Sequence, residues 1–227
     1  MTYARTLTRV EDYFDRTATE AWAQLTSDAP VSRVRATVRA GREEMRASMI
    51  ERLGDLRGKR VLDAGCGTGA ASEVLAILGA EVVAVDISPS LILIAQERLP
   101  GHLRDQVRFE AGDMLAPRGA FDAVLAMDSL IYYSRVDLQV ALARLSDMAP
   151  QVVFTVAPRT PLLMAFWSLG RFFPRRDRSP TMVPQDVSAL EADGAAHIKT
   201  VRSGFYTSAL LELGGPGSGS GRGGADG

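Results

Sequence analysis

The sequence VLDAGCGTGA at residues 61–70 decides the fold. Its apolar start is typical of a buried parallel strand, and a helical pattern begins at Ala70. Between them, Gly65 and Gly67 let the chain turn tightly and bring backbone N–H groups close to a ligand at the N-terminus of the helix. The stretch therefore predicts a strand, a ligand-binding loop and a helix, although a merely tight turn between strand and helix would give the same pattern.

Strand and helix patterns alternate outward from this stretch, between Lys59 and Pro158. The predicted strands are Arg60–Ala64, Glu81–Asp86, Val107–Ala111, Phe121–Met127 and Val152–Ala157. The helical patterns between them are Ala70–Leu78, Pro89–Leu99 and Asp137–Met148. This alternation predicts right-handed βαβ units and a doubly wound α/β sheet.

The last two strand-like runs differ from the others in how they are joined. Ala196–Arg202 and Phe205–Leu213 follow a predicted helix at Gln185–Asp193, and only Ser203 and Gly204 separate them. Such a turn is too short for a helical crossover, so the two strands should be antiparallel.

The flanking regions predict three further parts. Residues 1–57 have helical patterns, with a capping box at Thr8 and Glu11, and form a predicted N-terminal lid or extension. A second helix in this region has an apolar face and an arginine face, which we interpret as a solvated face packed on the domain in preference to a membrane anchor; the arginines are Arg33, Arg35, Arg39, Arg42 and Arg46. Residues 58–213 form the predicted Rossmann-like domain, with an acceptor-binding insertion at about 159–183. The Gly/Ser-rich residues 214–227 are predicted to be a disordered tail.

Composition excludes several classes of protein. A chain of 227 residues with 46% hydrophobic residues and a net charge of −1 is neither disordered nor a general nucleic-acid binder. Cys66 is the single cysteine, so no internal disulfide can form. With only two histidines besides, no zinc cluster can be assembled. We predict a cytoplasmic protein, because no signal peptide and no apolar stretch of bilayer length is visible.

The glycine motif alone leaves the ligand open, because Gly65, Gly67 and Ala70 also satisfy the GxGxxA fingerprint of dinucleotide-binding proteins. Three acidic residues at the ends of successive strands narrow the choice. Asp63 is placed to meet an ammonium group, Asp86 to accept two ribose hydroxyls, and Asp113 to accept from an adenine amino group. Each alone is more often a solvated loop residue, but together they predict a nucleoside site with an amino-acid moiety.

This combination resembles the class I methyltransferases over residues 59–213, and the antiparallel hairpin counts against a dehydrogenase. The resemblance implies a Rossmann-like, seven-stranded, mostly parallel sheet with an antiparallel last strand, helices on both faces and an N-terminal helical extension. It also implies S-adenosylmethionine as cofactor. The predicted cofactor-binding residues are Asp63, Gly65, Cys66, Gly67, Asp86, Ile87, Asp113, Met114 and Met127.

Two other segments predict the acceptor. In this fold the loop AMDSLIYY at residues 126–133 faces the donor methyl group, although its tyrosines are equally typical of aromatic packing. The apolar run LLMAFWSL at 162–169 is explained adequately by a buried helix, but an arginine-rich loop follows it. An apolar surface flanked by guanidinium groups suits a large planar ligand with carboxylates at its edge.

Four stretches resemble the magnesium-protoporphyrin IX O-methyltransferases of bacteriochlorophyll synthesis. They are YFDRTA at 13–18 with Trp22, AMDSLIYY at 126–133, FTVAP at 154–158, and residues 173–182. The resemblance implies methyl transfer to one propionate of magnesium protoporphyrin IX, giving the 13-monomethyl ester, with magnesium carried by the substrate and no metal held by the protein. One departure is Tyr132, where oxygenic members of the family have histidine.

The chemistry needs little acid or base, because a propionate is already ionised at neutral pH. Tyr132 is therefore predicted to orient the propionate, with Tyr13 contributed by the N-terminal lid. The predicted substrate-binding residues are Asp128, Tyr133, Phe166, Trp167, Arg175 and Arg178.

Two other functions stay open on the sequence: a methyltransferase of another carboxylate or phenol, and a non-catalytic tetrapyrrole carrier on the same fold. The intact acidic residues at the strand ends count against the carrier. Besides the porphyrin, the expected partners are a magnesium-chelatase subunit and, because the product is hydrophobic, a peripheral membrane contact, with no nucleic acid.

Overall fold

A seven-stranded β-sheet organises the computed structural model, which describes residues 33–116, 119–160 and 182–215 together with Thr8. The strands are β1 (Arg60–Ala64), β2 (Glu81–Asp86), β3 (Val107–Ala111), β4 (Ala123–Ala126), β5 (Gln151–Val156), β6 (Ala196–Ser203) and β7 (Tyr206–Gly214). The helices are α1 (Arg33–Leu53), α2 (Ala70–Ile77), α3 (Pro89–Arg98), α4 (Arg135–Met148) and α5 (Val187–Ala192), with short 3₁₀ turns at Gly101–Leu103 and Leu130–Tyr132.

The strand order in the sheet is β3-β2-β1-β4-β5-β7-β6. The first five strands pair in parallel, and β7 runs antiparallel to both of its neighbours, β5 and β6. The chain order reverses direction between β3 and β4, so the ends of β1 and β4 form the switch point at which such sheets bind ligands. The predicted α/β sheet with one antiparallel strand is confirmed.

The predicted strands and helices between Arg60 and Leu213 lie within two residues of their observed ends, and two of the differences have local causes. The strand predicted at Phe121–Met127 is shorter at both ends, because the Phe121 N–H donates to the Met148 carbonyl and the backbone turns at Asp128, whose φ is 54°. Helix α4 begins two residues before the predicted Asp137, because Ser134 precedes it and accepts the Asp137 N–H at 3.2 Å.

Apolar side chains fill both faces of the sheet. Helices α4 and α5 cover one face around Phe154, Leu138 and Leu190. The other face is covered by α1, α2 and α3, and its buried residues include Met45 and Leu75. Burial of each such side chain contributes about 1.5–3 kcal/mol to folding, so both helical layers are integral to the fold.

Helix α1 is therefore part of the core, and the predicted boundary at residue 57 is not a boundary in packing. Met45 and Met49 are both 0% exposed, and Leu53 is also buried against the sheet. The predicted lid residues before Arg33 lie outside the described residues, apart from Thr8, and so does most of the predicted insertion.

The predicted tail begins two residues too early. Gly214 pairs with Gln151 in the sheet, and the Gly215 N–H donates to the Pro150 carbonyl at 3.2 Å. Residues 216–227 lie outside the described residues.

Candidate active site

The described residues line a cavity of about 600 Å³ at the carboxyl ends of β1, β2 and β4. The lining includes the loop after β1 with the start of α2, and three arginines of α1. This size falls within the range of about 300–1,000 Å³ that small-molecule sites span. The cavity lies where the sequence predicted a nucleoside site.

The loop after β1 requires glycine at two positions. Gly65 has a φ of 86°, and a side-chain carbon on it would come within 2.2 Å of the Ser129 Cβ. Gly69, the N-cap of α2, has a φ of 80° and faces Ala95 and Phe109 at 3.0 and 3.2 Å. The backbone can therefore approach both the β4 loop and a ligand only because these residues lack side chains.

Asp86 fixes the shape of this loop. Its carboxylate accepts the Gly67 N–H at 2.8 Å and the Ser88 N–H at 2.9 Å, and it lines the cavity at the end of β2. Since a carboxylate offers about four lone-pair sites, these two bonds do not themselves exclude the two ribose hydroxyls expected from the sequence.

Asp63 is the most deeply buried acid of the site, with 1% of its surface exposed. The Ser72 hydroxyl donates to it at 2.6 Å. Burial raises its pKa to about 6, Ser72 opposes that rise, and the charge of Asp86 adds to it. A buried carboxylate with a raised pKa in a cavity wall is suited to a cationic ligand group such as an ammonium.

The third acid is placed differently. Asp113 accepts the Leu115 N–H at 2.8 Å and is not among the described residues that line the cavity, whereas its neighbours Gly112 and Met114 are. Met114 thus lies where an adenine ring was expected, and the polar contact predicted for Asp113 has no counterpart in the cavity wall.

Three other predicted cofactor residues, Cys66, Ile87 and Met127, also line the cavity. The Cys66 thiol is buried, and burial together with the charges of Asp63 and Asp86 holds its pKa well above the usual range. It therefore contributes a neutral, apolar surface to the loop.

On the acceptor side, the 3₁₀ turn Leu130–Tyr132 brings Tyr132 and Tyr133 into the cavity wall, and both side chains are buried. The other predicted acceptor residues are Tyr13, Phe166, Trp167, Arg175 and Arg178, and all lie outside the described residues.

Asp128 also lines the cavity, but its carboxylate is engaged by the protein. It pairs with the Arg42 guanidinium and accepts from the Tyr206 hydroxyl and the Thr155 hydroxyl, each at 3.2 Å. The Asp128 N–H in turn donates to the Thr155 Oγ at 2.7 Å. This network joins α1, β5 and β7 to the loop after β4.

The arginine face of α1 contributes three residues to the cavity, a position that the sequence did not predict. Arg39, Arg42 and Arg46 line the cavity, at positions that recur along one side of the helix. The spacing i, i+3, i+7 was visible in the sequence and showed that these side chains share a face. It did not show what that face would meet.

Ser129 is a further residue that the sequence did not single out. Its hydroxyl is buried in the cavity wall, and it has no hydrogen-bond partner within the described part of the chain. Buried hydroxyls are nearly always paired, so this one is suited to a hydrogen bond with a ligand in the cavity.

The sheet order and the cavity at its switch point define a class I S-adenosylmethionine-dependent methyltransferase, and a methyltransferase-domain family model matches residues 61–149. A second family model, the magnesium-protoporphyrin IX methyltransferase C-terminus, matches residues 126–214. The chain is 55% identical over 217 residues to the magnesium-protoporphyrin O-methyltransferase of Rhodobacter capsulatus, covering 92% of this chain and 97% of that one. The chain belongs to the magnesium-protoporphyrin O-methyltransferase family.

More distant relatives agree with this assignment. The Synechocystis magnesium-protoporphyrin O-methyltransferase is 30% identical over 221 residues, covering 90% of this chain and 94% of that one. The crystal structure of the Synechocystis magnesium protoporphyrin IX methyltransferase with bound SAH superposes with a TM-score of 0.78 at 28% identity, covering 90% of this chain and 97% of that one. The family resemblance inferred from the sequence is confirmed.

Proposed function

We propose that this chain transfers a methyl group from S-adenosylmethionine to a propionate carboxylate of magnesium protoporphyrin IX, giving the 13-monomethyl ester in (bacterio)chlorophyll biosynthesis. The observation that carries the proposal is one cavity that joins a nucleoside-type wall, with Asp63 and Asp86, to an acceptor-type wall, with Tyr132 and Tyr133. Family membership names the acceptor.

The residues of the cavity fit S-adenosylmethionine. Asp86 would accept the ribose hydroxyls, Met114 would pack on the adenine, and Asp63 would bind the ammonium group. Arg46 also lines the cavity, and its positive charge acts on Asp63, so it is suited to the neighbouring α-carboxylate.

The cofactor supplies a sulfonium methyl group, which bonds to the carboxylate oxygen while the electron pair of the broken C–S bond stays on sulfur. No proton moves, because the propionate is ionised beforehand. The protein therefore has to align the carboxylate with the methyl group and keep water out, which can contribute several kcal/mol to catalysis. The buried turn at Tyr132 and the wall formed by α1 serve these two tasks.

Incubation of the purified chain with magnesium protoporphyrin IX and methyl-labelled S-adenosylmethionine tests the proposal. We expect a labelled monomethyl ester, detected by mass and located on the 13-propionate by chromatography against both monomethyl ester standards. The Asp86→Ala variant should form little ester, because the ribose loses a charged acceptor worth about 1.5–3 kcal/mol per bond. Tight porphyrin binding without ester formation would identify a carrier, and methylation of other carboxylates or phenols alone a different methyltransferase.

We propose in addition that the protein contacts a membrane peripherally and receives its substrate from a magnesium-chelatase subunit. The hydrophobic product and the apolar run at 162–169 support this proposal. No helix within the described ranges is long and apolar enough to cross a membrane. If the wild type co-sediments with anionic vesicles and a Phe166→Ser/Trp167→Ser variant does not, the membrane contact is supported. Equal binding of the wild type and the variant to the vesicles would contradict the role of this run.

Cross-linking of the chain to magnesium-chelatase subunits tests the second contact. A specific adduct with one subunit, suppressed by excess magnesium protoporphyrin, is expected for substrate transfer. Adducts with no subunit would contradict it.

A further inference from the structure

Asp128 is poorly suited to binding the substrate itself. Its side chain is 6% exposed, and its carboxylate already accepts from three side chains, those of Arg42, Tyr206 and Thr155. An ionised propionate brought beside it would meet a like charge. The group in this network that attracts a carboxylate is the guanidinium of Arg42, which also lines the cavity.

The order of strands places Arg42 on the acceptor side of the cavity. Asp86 ends β2 and Asp63 lies on the adjacent β1, whereas Arg42 pairs with Asp128, which follows β4 and accepts from Tyr206 at the start of β7. Since β4 and β7 lie on the opposite side of β1 from β2, Arg42 is displaced from the ribose end toward Tyr132. Arg46, whose charge acts on Asp63, lies one helical turn away on the donor side.

The backbone at Asp128 is held in a conformation that few residues adopt. Its φ is 54°, the only positive value at a non-glycine residue in the described part of the chain. Such conformations persist where surrounding contacts enforce them, and they cluster at functional sites. Here the bond from the Asp128 N–H to Thr155 holds the turn, and the turn directs the carboxylate at Arg42.

We propose that Arg42 receives the reacting carboxylate of the acceptor, and that Asp128 is a positioning residue that fixes the Arg42 guanidinium and offsets its charge. The inference rests on the proposed function. Arg42 stays protonated throughout: the carboxylate oxygen gains the methyl group, sulfur keeps the electron pair, and no proton is transferred.

The pairing has a consequence for reactivity. A lone buried arginine would stabilise the ionised carboxylate in the ground state and lower its nucleophilicity. When the arginine is paired with Asp128, the pair has little net charge, but the guanidinium still donates directed hydrogen bonds. It can therefore orient the substrate carboxylate oxygen with a smaller loss of nucleophilicity. The Tyr206 hydroxyl remains a donor to Asp128, because burial and then the charge of Asp128 raise its pKa above the usual range.

The experiment compares Arg42→Gln, Arg42→Lys and Asp128→Asn with Arg35→Gln, a control on an exposed position of the same helix outside the cavity lining. Each variant is titrated with SAH by calorimetry and with magnesium protoporphyrin IX and its dimethyl ester by absorbance, and each is assayed for turnover. The dimethyl ester is the matched ligand because it lacks both carboxylates.

For Arg42→Gln we expect kcat/KM to fall about ten- to a hundredfold, the effect of losing a charge-assisted hydrogen bond. Porphyrin affinity should fall, while affinities for SAH and the dimethyl ester stay within twofold of wild type. Arg42→Lys should restore part of the loss. Asp128→Asn retains a residue that tolerates positive φ and leaves Arg42 with its full charge, so KM should stay equal or fall while kcat drops about tenfold.

Three results would overturn the inference. Weakened SAH binding in Arg42→Gln would make Arg42 a cofactor ligand. Equal loss of affinity for the diacid and its dimethyl ester would mean that Arg42 shapes the cavity without binding a carboxylate. A rise of KM in Asp128→Asn with unchanged kcat would remove the positioning role. If the wild-type chain forms no ester, the proposed function fails, and the comparison of diacid with dimethyl ester still decides whether Arg42 binds a carboxylate.

Discussion

Tyr132 is expected to orient the propionate and not to act as a base. It is 8% exposed and lies in the cavity wall. Because an ionised propionate needs no base, a hydrogen bond from the phenol should only orient it. Tyr132→Phe should therefore lower kcat by about ten- to a hundredfold, corresponding to about 1.5–3 kcal/mol, with little change in porphyrin affinity.

Steady-state kinetics over a range of pH test this prediction, with Tyr132→Ala as the second variant. The alanine variant should be slower than the phenylalanine variant, because it also admits water. Wild-type turnover in Tyr132→Phe would make Tyr132 a packing residue. A wild-type rate that rises in step with ionisation of a phenol, and is abolished in Tyr132→Phe, would make it a proton-transfer residue.

The raised pKa of Asp63 predicts how cofactor affinity depends on pH. Burial raises this pKa to about 6, so the carboxyl group is largely protonated below that pH in the ligand-free protein. Only the ionised form attracts an ammonium group, so affinity for SAH should weaken by about tenfold per pH unit below 6. Calorimetry between pH 5 and 7 measures this slope. Asp63→Asn should bind weakly without the slope, and a wild-type slope in that variant would assign the titration to another group.

The Asp63 carboxyl group should lower the stability of the ligand-free protein as the pH rises, whereas it should raise cofactor affinity. The pKa of Asp63 is raised from 3.8 to about 6 on folding, so the folded state holds the proton more tightly. Its contribution to the free energy of unfolding is fully present below pH 4 and is lost as the pH rises through about 6. Denaturant titrations of wild type and Asp63→Asn should thus diverge between these values, with the wild type losing stability relative to the variant as the pH rises.

Among the elements, α1 and the β6–β7 hairpin depend on each other through small residues. A side-chain carbon at Gly41 would come within 2.7 Å of the Tyr206 ring, and one at Gly204 within 2.1 Å of the Thr37 hydroxyl. The Ser203 hydroxyl also donates to the Thr37 carbonyl at 2.7 Å. This close contact sets the distance between Arg42 on the helix and Tyr206 on the strand, both of which contact Asp128.

Gly41→Ala tests the role of this contact. Alanine favours a helix by about 1 kcal/mol over glycine, but overpacking typically costs about 1–3 kcal/mol, so we expect no gain or a net loss of stability. Helix α1 should also shift away from the hairpin, lowering kcat. Gly101→Ala is the control, because a side-chain carbon at Gly101 meets nothing within 4 Å. Clear stabilisation of Gly41→Ala with full activity would show that the hairpin adjusts at no cost.

Polar contacts extend this interface along the helix. Lys199 of β6 pairs with Glu44 at 2.8 Å, and the buried carboxylate of Glu212 on β7 pairs with Arg52 and accepts from Gln151 at 2.7 Å. Removal of one partner of a buried ion pair costs more than removal of an exposed one. We therefore expect Arg52→Gln to lower the free energy of unfolding more than Lys199→Gln does, and equal losses in denaturant titration would contradict this ranking.

For the whole molecule, the sequence predicted the sheet well because apolar periodicity and short turns are local signals. The strand at Val107–Ala111 and the antiparallel hairpin around Gly204 needed nothing else. The site was predictable where strand ends determine it, as at Asp63 and Asp86. It was not predictable at Arg42 or Tyr206, because a helical pattern shows which side chains share a face but not which distant strand they meet.

The last prediction concerns the residues before α1, where the sequence indicates a lid. Helix α1 begins at Arg33 and buries Met45, Met49 and Leu53, so deletion of residues 1–27 leaves this helix and the described cavity lining in place. This truncated protein should fold and bind SAH as wild type does, yet lose turnover, because we expect the first residues to close over the acceptor and exclude water. Deletion of residues 1–48 is the contrasting variant, since it removes Arg42 and Met45 and should not fold. Melting curves and SAH calorimetry on both proteins measure the difference. Unfolding of the shorter deletion would make the first residues structural, and full turnover in it would show that they do not close the site.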